Sequence, residues 1–251
     1  MGGDPRAGDP RGVIEAVTYD FWETIAREAH ESLLERRTRA WSELLRDSEV
    51  PAETVRRTFE ETWRIHSEHW RAGRQFTPVM AAEKAVEDLG VAVSPRLRED
   101  LVEAFADAGA TADLVVNDGL EETLSELKLR RIRTGIICDV GFTSGELLRG
   151  FLERRGMLKY FDGWAFSDEV GVYKPDPAIF ARALTSLGDV PADRALHVGD
   201  LRRTDIAGAR AIGMTSVRYR GANDDQDEDL LDADHVIDHH LQLIPILAAL
   251  R

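Results

Sequence analysis

The chain has 251 residues, 43% of them hydrophobic, which is enough to bury a full core with or without an inserted smaller domain. Its formal net charge of −14 argues against nucleic acid or an anionic membrane surface as the main partner, because both would repel it. The single cysteine excludes an intramolecular disulfide, and no apolar stretch approaches the roughly 20 residues that span a bilayer. We therefore expect an ordered cytoplasmic protein.

The N-terminal part of the chain predicts a leader, a strand and a helical segment. Residues 1–12 repeat Gly-Asp-Pro-Arg, which is typical of a disordered leader, and order is expected from Val13. The first predicted strand, residues 17–20, ends on the carboxylate of Asp20. Residues 30–110 then combine long charged stretches with apolar residues at helical spacing, which predicts an all-helical segment.

From residue 111 onward, short apolar runs of β type alternate with helical patterns, which is typical of βαβ units around a parallel sheet. The predicted strands occupy residues 135–138, 163–167, 195–198, 215–219 and 235–237. The strand that ends at Asp20 has to rejoin this sheet. Residues 13–29 and 111–251 are therefore predicted to form one α/β core, and residues 30–110 a helical cap inserted after the first strand.

The most informative stretch is residues 195–205, ALHVGDLRRTD, in which an apolar run breaks at a glycine into two carboxylates, Asp200 and Asp205. It predicts a buried strand, a loop and then a helix. Ligands of α/β sheets bind at the carboxyl ends of the strands, so these two residues and Asp20 are expected at one edge. Three carboxylates can surround one Mg²⁺, which prefers oxygen ligands. An enzyme is the leading interpretation.

Four short segments follow one another along the chain in an informative order: residues 19–25 (YDFWETI), residues 136–139 (IICD), residues 172–177 (VYKPDP), and Gly199-Asp200 followed by Asp205. In this order they resemble the four motifs of the haloacid dehalogenase-like (HAD) superfamily, with a helical cap inserted after motif one. The resemblance covers nearly the whole chain past the leader. It implies an α/β fold, a Rossmann-like parallel sheet sandwiched by helices, and a hydrolase that acts on a small molecule.

The resemblance also implies catalytic roles. Asp20 corresponds to the nucleophile, which forms an aspartyl intermediate and so splits one hard step into two easier ones. Thr24 corresponds to the motif-one threonine that positions this carboxylate. Lys174 would place a cation between the nucleophile and the substrate anion, so that two negative groups can approach each other.

Mg²⁺ and substrate sites follow from the same resemblance. Mg²⁺ would be held by Asp20, Asp200 and Asp205, together with the backbone carbonyl of Trp22. In motif two, Cys138 and Asp139 stand at the substrate-binding positions, where a Ser or Thr hydroxyl usually comes first. A small buried hydrophobe is the other interpretation of this cysteine.

Trp22 departs from the pattern of the phosphatases, which carry a second Asp at this position. That Asp protonates the leaving group, and such catalysis is typically worth about 10² to 10⁴ in rate. The favoured hypothesis is a Mg²⁺-dependent phosphohydrolase for a small phosphorylated metabolite. Because an indole cannot protonate the leaving group, we expect more activity on aryl or acyl phosphates than on alkyl phosphates.

Two alternatives stay open. A 2-haloacid dehalogenase would explain an aromatic residue at position 22, because a halide leaves without a proton. Those dehalogenases lack the Gly-Asp metal site, however, so Asp200 favours phosphate. A catalytically silent HAD fold that binds a ligand or a protein partner would explain both Trp22 and Cys138.

Several other side chains are expected to be structural. The aromatic residues of the predicted cap, Trp63, Trp70 and Phe76, have helical spacing and are predicted to pack rather than to form a substrate site. The histidines beside them, His66 and His69, could line the substrate pocket, but a place on the surface or in the core of the cap is favoured.

Near the C-terminus, the acidic run of residues 223–234 is predicted to be a solvated loop. Arg202 and Arg203 follow the Gly-Asp pair. Contact with an anionic substrate and a solvated loop face are equally compatible with their position.

Overall fold

The computed structural model describes residues 13–250, so the predicted leader, residues 1–12, lies outside the described residues. The strands are β1 (Ala16–Tyr19), β2 (Ala26–Glu28), β3 (Leu114–Val116), β4 (Arg133–Cys138), β5 (Gly163–Phe166), β6 (Ala195–Gly199), β7 (Thr215–Tyr219) and β8 (His235–Ile237). The α-helices are α1 (Leu33–Leu44), α2 (Ala52–Arg71), α3 (Pro78–Asp88), α4 (Pro95–Ala110), α5 (Leu120–Leu129), α6 (Gly145–Arg154), α7 (Ser167–Val170), α8 (Pro177–Ser186), α9 (Ala207–Ala211) and α10 (Leu243–Ala249).

Six strands form one parallel sheet in the order β5-β4-β1-β6-β7-β8. Strand β1 lies in the middle, where Tyr19 is in register with Ile136 of β4 and Val198 of β6. Its residues are all buried, as expected for a parallel strand covered on both faces. The loops that follow β1, β4 and β6 therefore leave the same edge of the sheet side by side.

Helices cover both faces of this sheet, which confirms the predicted Rossmann-like architecture. On one face Tyr19 packs in a cluster with Leu124 of α5 and Phe151 of α6. On the other face Ala16 packs in a cluster with Phe180 of α8. Within residues 13–250 no helix has the length and apolar character needed to cross a bilayer.

Helices α1–α4 form a separate layer, here called the cap helices. They have their own apolar cluster, in which Trp41, Phe59 and Phe105 pack against one another. Residues 30–110 are thus largely helical, as the sequence indicates, and their standing as a cap domain remains a prediction. Strands β2 and β3, which the sequence analysis did not predict, pair antiparallel at the two ends of this layer.

The cap helices contact the core close to the carboxyl edge of the sheet. The buried guanidinium of Arg37 in α1 donates to the carbonyl of Phe142, at 3.0 Å, and to Oγ1 of Thr143, at 3.2 Å. The hydroxyl of Tyr173 accepts from the backbone N–H of Phe76 and donates to the same residue's carbonyl. These contacts join α1 and the segment after α2 to the loop after β4 and to the segment between α7 and α8.

Candidate active site

An ion pair lies at the carboxyl edge of the sheet. Asp20 follows β1 directly, and Lys174 reaches it from the loop between α7 and α8. The Nζ of Lys174 lies 2.5 Å from Oδ1 of Asp20 and 2.6 Å from Oδ1 of Asp205. It also donates to the carbonyl of Ile137 at 3.2 Å. The lysine side chain is 3% exposed, so its cation is fixed between two buried carboxylates.

Burial and charge act against each other in this group. Burial raises the pKa of Asp20 well above its usual range, the Lys174 cation opposes this, and Asp205 adds to it. Burial would lower the pKa of Lys174, but the Asp20 and Asp205 carboxylates raise that pKa well above its ordinary value. Burial likewise opposes ionisation of Asp205, yet Lys174 and His197 hold its pKa below the usual range. The Lys174–Asp205 pair is therefore charged at neutral pH.

Asp205 is held from behind by the sheet. The Nε2 of His197, on β6, lies 3.1 Å from its Oδ1, and the backbone N–H of Leu201 donates to its Oδ2 at 3.1 Å. Burial lowers the pKa of His197, so the imidazole is neutral and donates through Nε2 while Nδ1 accepts from the hydroxyl of Thr18, 2.9 Å away. A side chain at Gly199 would collide with this carboxylate, since an added Cβ would lie 2.3 Å from the Cγ of Asp205.

Three buried carboxylates, Asp20, Asp200 and Asp205, place ligand oxygens within 4.8 Å of one another. Lys174 is the single cation bonded to this group within the described residues. Burial and the Asp205 charge raise the pKa of Asp200 to about 7. Three carboxyl groups with one cation leave hard oxygen ligands in surplus, which fits a divalent cation such as Mg²⁺.

The acidic run of residues 223–234 is a mostly exposed loop, as predicted, but one of its side chains also enters the site. Asn223 donates to Oδ2 of Asp200 at 2.7 Å and lines the site. Arg202 is buried and bonds to Asp225 and Asp232 in the run, and Arg218 pairs with Asp232 as well. The run is therefore a folded loop that positions an amide beside Asp200, and Arg202 is one of its structural anchors.

The contacts in the structure match only some of the roles predicted for motif one. The side chain of Trp22 lines the site and packs edge-on against Phe21, with ring centroids 5.2 Å apart. Thr24 is buried, and its Oγ1 has no hydrogen-bond partner within the described residues. Its carbonyl accepts from Asn117 and from His240, at 2.9 and 3.0 Å. No hydrogen bond within the described residues therefore supports the predicted positioning of Asp20 by this hydroxyl.

In motif two, the structure separates the two residues predicted to bind substrate. Cys138 is fully buried in the core of the sheet, and burial raises the pKa of its thiol well above the ordinary value. Asp139 lines the site instead. Its Oδ1 accepts from the backbone N–H of Lys174 at 2.9 Å, and its Oδ2 from Nε1 of Trp70 at 2.7 Å. Cys138 therefore behaves as the small buried hydrophobe that the sequence analysis gave as the other interpretation.

A cavity of about 680 Å³ opens between this edge of the sheet and the cap helices. Its cap side includes Phe59, Trp63, His66 and Trp70, all from α2. Trp63 is 51% exposed, so the prediction that it packs in the cap is wrong, whereas Phe76 is buried as predicted. Sequence spacing gave all of these residues the same helical pattern and could not tell which of them meet the cavity.

A parallel sheet that gathers three carboxylates and a lysine at its carboxyl edge, beneath a helical layer, defines a hydrolytic α/β enzyme. Residues 14–213 match the family described as haloacid dehalogenase-like hydrolase. The chain belongs to this family.

Individual relatives carry different activities in their names. The chain is 25% identical over 243 residues to haloacid dehalogenase-like hydrolase domain-containing protein 3 of Bos taurus, covering 93% of this chain and 94% of that protein. It is 28% identical over 216 residues to glyceraldehyde 3-phosphate phosphatase of Methanopyrus kandleri, covering 83% and 84%. The solved structure of a 2-haloacid dehalogenase from Pseudomonas syringae aligns with a TM-score of 0.66 and 25% identity over 94% of this chain and 98% of that one.

Proposed function

We propose that the chain is a Mg²⁺-dependent phosphohydrolase that acts on a small phosphorylated metabolite through an aspartyl intermediate on Asp20. The observation that carries this proposal is the Lys174 cation fixed between Asp20 and Asp205, with Asp200 beside them. A phosphate dianion next to a carboxylate nucleophile needs positive charge from both sides. Lys174 provides it from one side, and the carboxylate cluster fits a divalent cation on the other.

The reaction has two steps in this proposal. A carboxylate oxygen of Asp20 forms a bond to phosphorus, and the bond between phosphorus and the leaving oxygen breaks, with the electron pair going to that oxygen. Water then attacks phosphorus, the bond between phosphorus and the Asp20 oxygen breaks, and its electron pair restores the carboxylate. One proton of the water stays on the released phosphate, and the other neutralises the departed oxygen anion. When bound by Asp20, Asp200 and the carbonyl of Trp22, with Asp205 in support, Mg²⁺ supplies charge that offsets the buried carboxylates.

Trp22 shapes the leaving-group preference. Its indole cannot protonate the departing oxygen, so the leaving group has to be stable as an anion. We therefore expect faster turnover of aryl and acyl phosphates than of alkyl phosphates. Thr24 and Asp139 remain our candidates for positioning and substrate binding, and Cys138 acts through packing. The cytoplasmic location stays a prediction from the sequence.

A 2-haloacid dehalogenase is the second candidate, favoured by the aromatic residue at position 22 and by the likeness to a dehalogenase structure. Halide release by a carboxylate needs no metal, and the carboxylate cluster around Asp200 would then have no use. A silent fold that only binds a ligand is the third candidate.

The test uses purified protein with p-nitrophenyl phosphate and, in parallel, 2-chloropropionate. Phosphate release that requires both Asp20 and Mg²⁺, and that is lost in Asp20→Asn, supports the phosphohydrolase. Chloride release without metal and without phosphatase activity would replace it by the dehalogenase. Activity on neither substrate, with Mg²⁺ still bound, would favour the silent fold.

A further inference from the structure

Three aromatic rings, here called the aromatic wall, form part of the cavity: Trp63 and His66 of α2, and Phe142 of the loop after β4. Trp63 and His66 are stacked, with ring centroids 4.9 Å apart and planes 17° apart. Phe142 meets both rings edge-on, with centroids 5.0 Å from Trp63 and 5.6 Å from His66. Trp63 lines the cavity and is 51% exposed, which is unusual for the largest apolar side chain and points to a ligand.

His66 adds a polar feature to this wall. The residue is 5% exposed, and neither ring nitrogen has a hydrogen-bond partner within the described residues. Buried polar atoms nearly always have partners, so two orphaned nitrogens in one ring require an explanation. Four aromatic rings pack around the imidazole, those of Trp63, Phe76, Phe142 and Tyr173. Burial, with a smaller effect of His69, lowers the pKa of His66 to about 4, so at neutral pH it offers one donor and one acceptor.

The wall adjoins the reaction centre. An added Cβ on Gly141 would lie 3.4 Å from the Trp63 ring, so the indole rests on that stretch of backbone. Gly141 is two residues after Asp139, whose carboxylate accepts from the backbone N–H of Lys174. The same cavity contains Asp20 and Trp22. A ligand that is attacked by Asp20 can therefore extend its leaving group through this cavity to the wall.

Charge argues against a second anionic group at the wall. Glu28, Arg37 and Glu60 also line the cavity, and their sum is negative. The guanidinium of Arg37 is already bonded to the carbonyls of Phe105 and Phe142. A substrate body without negative charge suits this environment better than an anionic one.

Two independent features of the site thus converge, and the conclusion rests on the proposed function. Trp22 removes the acid and requires a leaving group that departs unaided, and the aromatic wall suits a flat ring without negative charge. We infer that the substrate is the phosphate monoester of an uncharged phenol, whose ring lies against Trp63 and Phe142 and whose polar substituent hydrogen-bonds to His66. A phenol has a pKa near 10, far below that of an alkanol, so its anion leaves readily.

Binding tests this substrate class better than turnover, because aryl phosphates are intrinsically more reactive. The probes are phenyl phosphate and cyclohexyl phosphate, which match in charge and carbon number, titrated by calorimetry into Asp20→Asn with Mg²⁺. We expect phenyl phosphate to bind about three- to tenfold more tightly, and Trp63→Ala in that background to remove the preference, with Trp63→Phe retaining most of it. Affinity for inorganic phosphate should not change. Equal binding of the two esters, or a preference that survives Trp63→Ala, overturns the inference.

The role of His66 is tested with the three carbamoylphenyl phosphate isomers, since a carbamoyl group both donates and accepts. At least one isomer should bind more tightly than phenyl phosphate, and His66→Phe should abolish that gain. His69→Phe is the matched control, because His69 lies one turn away on α2 and does not line the cavity. The inference fails if no isomer gains affinity, or if His69→Phe has the same effect. If the native chain shows no Asp20-dependent phosphatase activity, the proposed function is refuted instead. The two failures are therefore distinguishable.

Discussion

The indole N–H of Trp70, in the cap helices, donates to Oδ2 of Asp139 at 2.7 Å, while Oδ1 of the same carboxylate accepts from the backbone N–H of Lys174. On the ring of Trp70 lies the guanidinium of Arg203, 3.9 Å from its centroid. Burial raises the pKa of Asp139, and Lys174 and Trp70 counteract the shift. One carboxylate of motif two thus connects helix α2 with the loop that carries the active-site lysine.

Trp70→Phe keeps an aromatic ring for Arg203 but removes this donor. We expect kcat/KM for an aryl phosphate to fall about tenfold, because a hydrogen bond to a charged group contributes about 1.5–3 kcal/mol. A double-mutant cycle with Asp139→Asn measures the coupling. Additive effects of the two substitutions on kcat/KM would contradict a link between them, and Trp63→Phe serves as the comparison on the same helix.

Lys174→Met removes the cation between two buried carboxylates. Because a broken buried ion pair leaves charges uncompensated, we expect a loss of about 3–5 kcal/mol in the free energy of unfolding, together with loss of activity. Urea denaturation at pH 7 measures the first effect. The double variant Lys174→Met with Asp205→Asn should recover part of the stability and none of the activity. A single variant as stable as the native chain would show that the pair is not structural.

His66 makes the fold sensitive to acid. Its pKa is lowered by burial, chiefly, to about 4 in the folded chain, against about 6.5 when unfolded, so between these values only the unfolded state takes up the proton. Its contribution to stability is present above pH 6.5 and is lost as the pH falls towards 4. We compare how far the free energy of unfolding falls between pH 7 and pH 4.5 in the two proteins. We expect this decrease to be about 2 kcal/mol smaller in His66→Phe than in the native chain. If the free energy of unfolding changes with pH by the same amount in both proteins, this expectation is wrong.

Mg²⁺ should stabilise the fold in a manner that depends on Asp200. Burial and Asp205 raise the pKa of Asp200 to about 7, so its carboxyl group is largely protonated at pH 6 in the absence of metal and largely ionised at pH 8. Since Mg²⁺ binds the carboxylate, the increase in Tm on adding it should be larger at pH 8 than at pH 6. Asp200→Asn should show little increase at either pH. An equal increase in the variant and the native chain would place the metal elsewhere.

The strands and the order of the catalytic segments could be predicted from the sequence. The runs that end at Asp20, Cys138 and Asp200 are mostly apolar, because strands of a buried parallel sheet are covered on both faces. Parallel strands also bring their carboxyl ends to one edge, so chain order alone indicated that the carboxylates of Asp20 and Asp200 would meet. Strands β2 and β3 were missed because they are short and pair across about 90 residues of intervening chain.

Contacts between distant segments were decided by the tertiary structure alone. Asn223 sits in an acidic run that looked solvated, and it reaches Asp200 only because Arg202 and Arg218 fold that run against the core. Phe59 and Trp63 lie one turn apart on α2, yet Phe59 is buried and Trp63 is half exposed. Periodicity reports which face of a helix is apolar. What that face meets depends on how the cap helices dock over the sheet, and no local pattern encodes that docking.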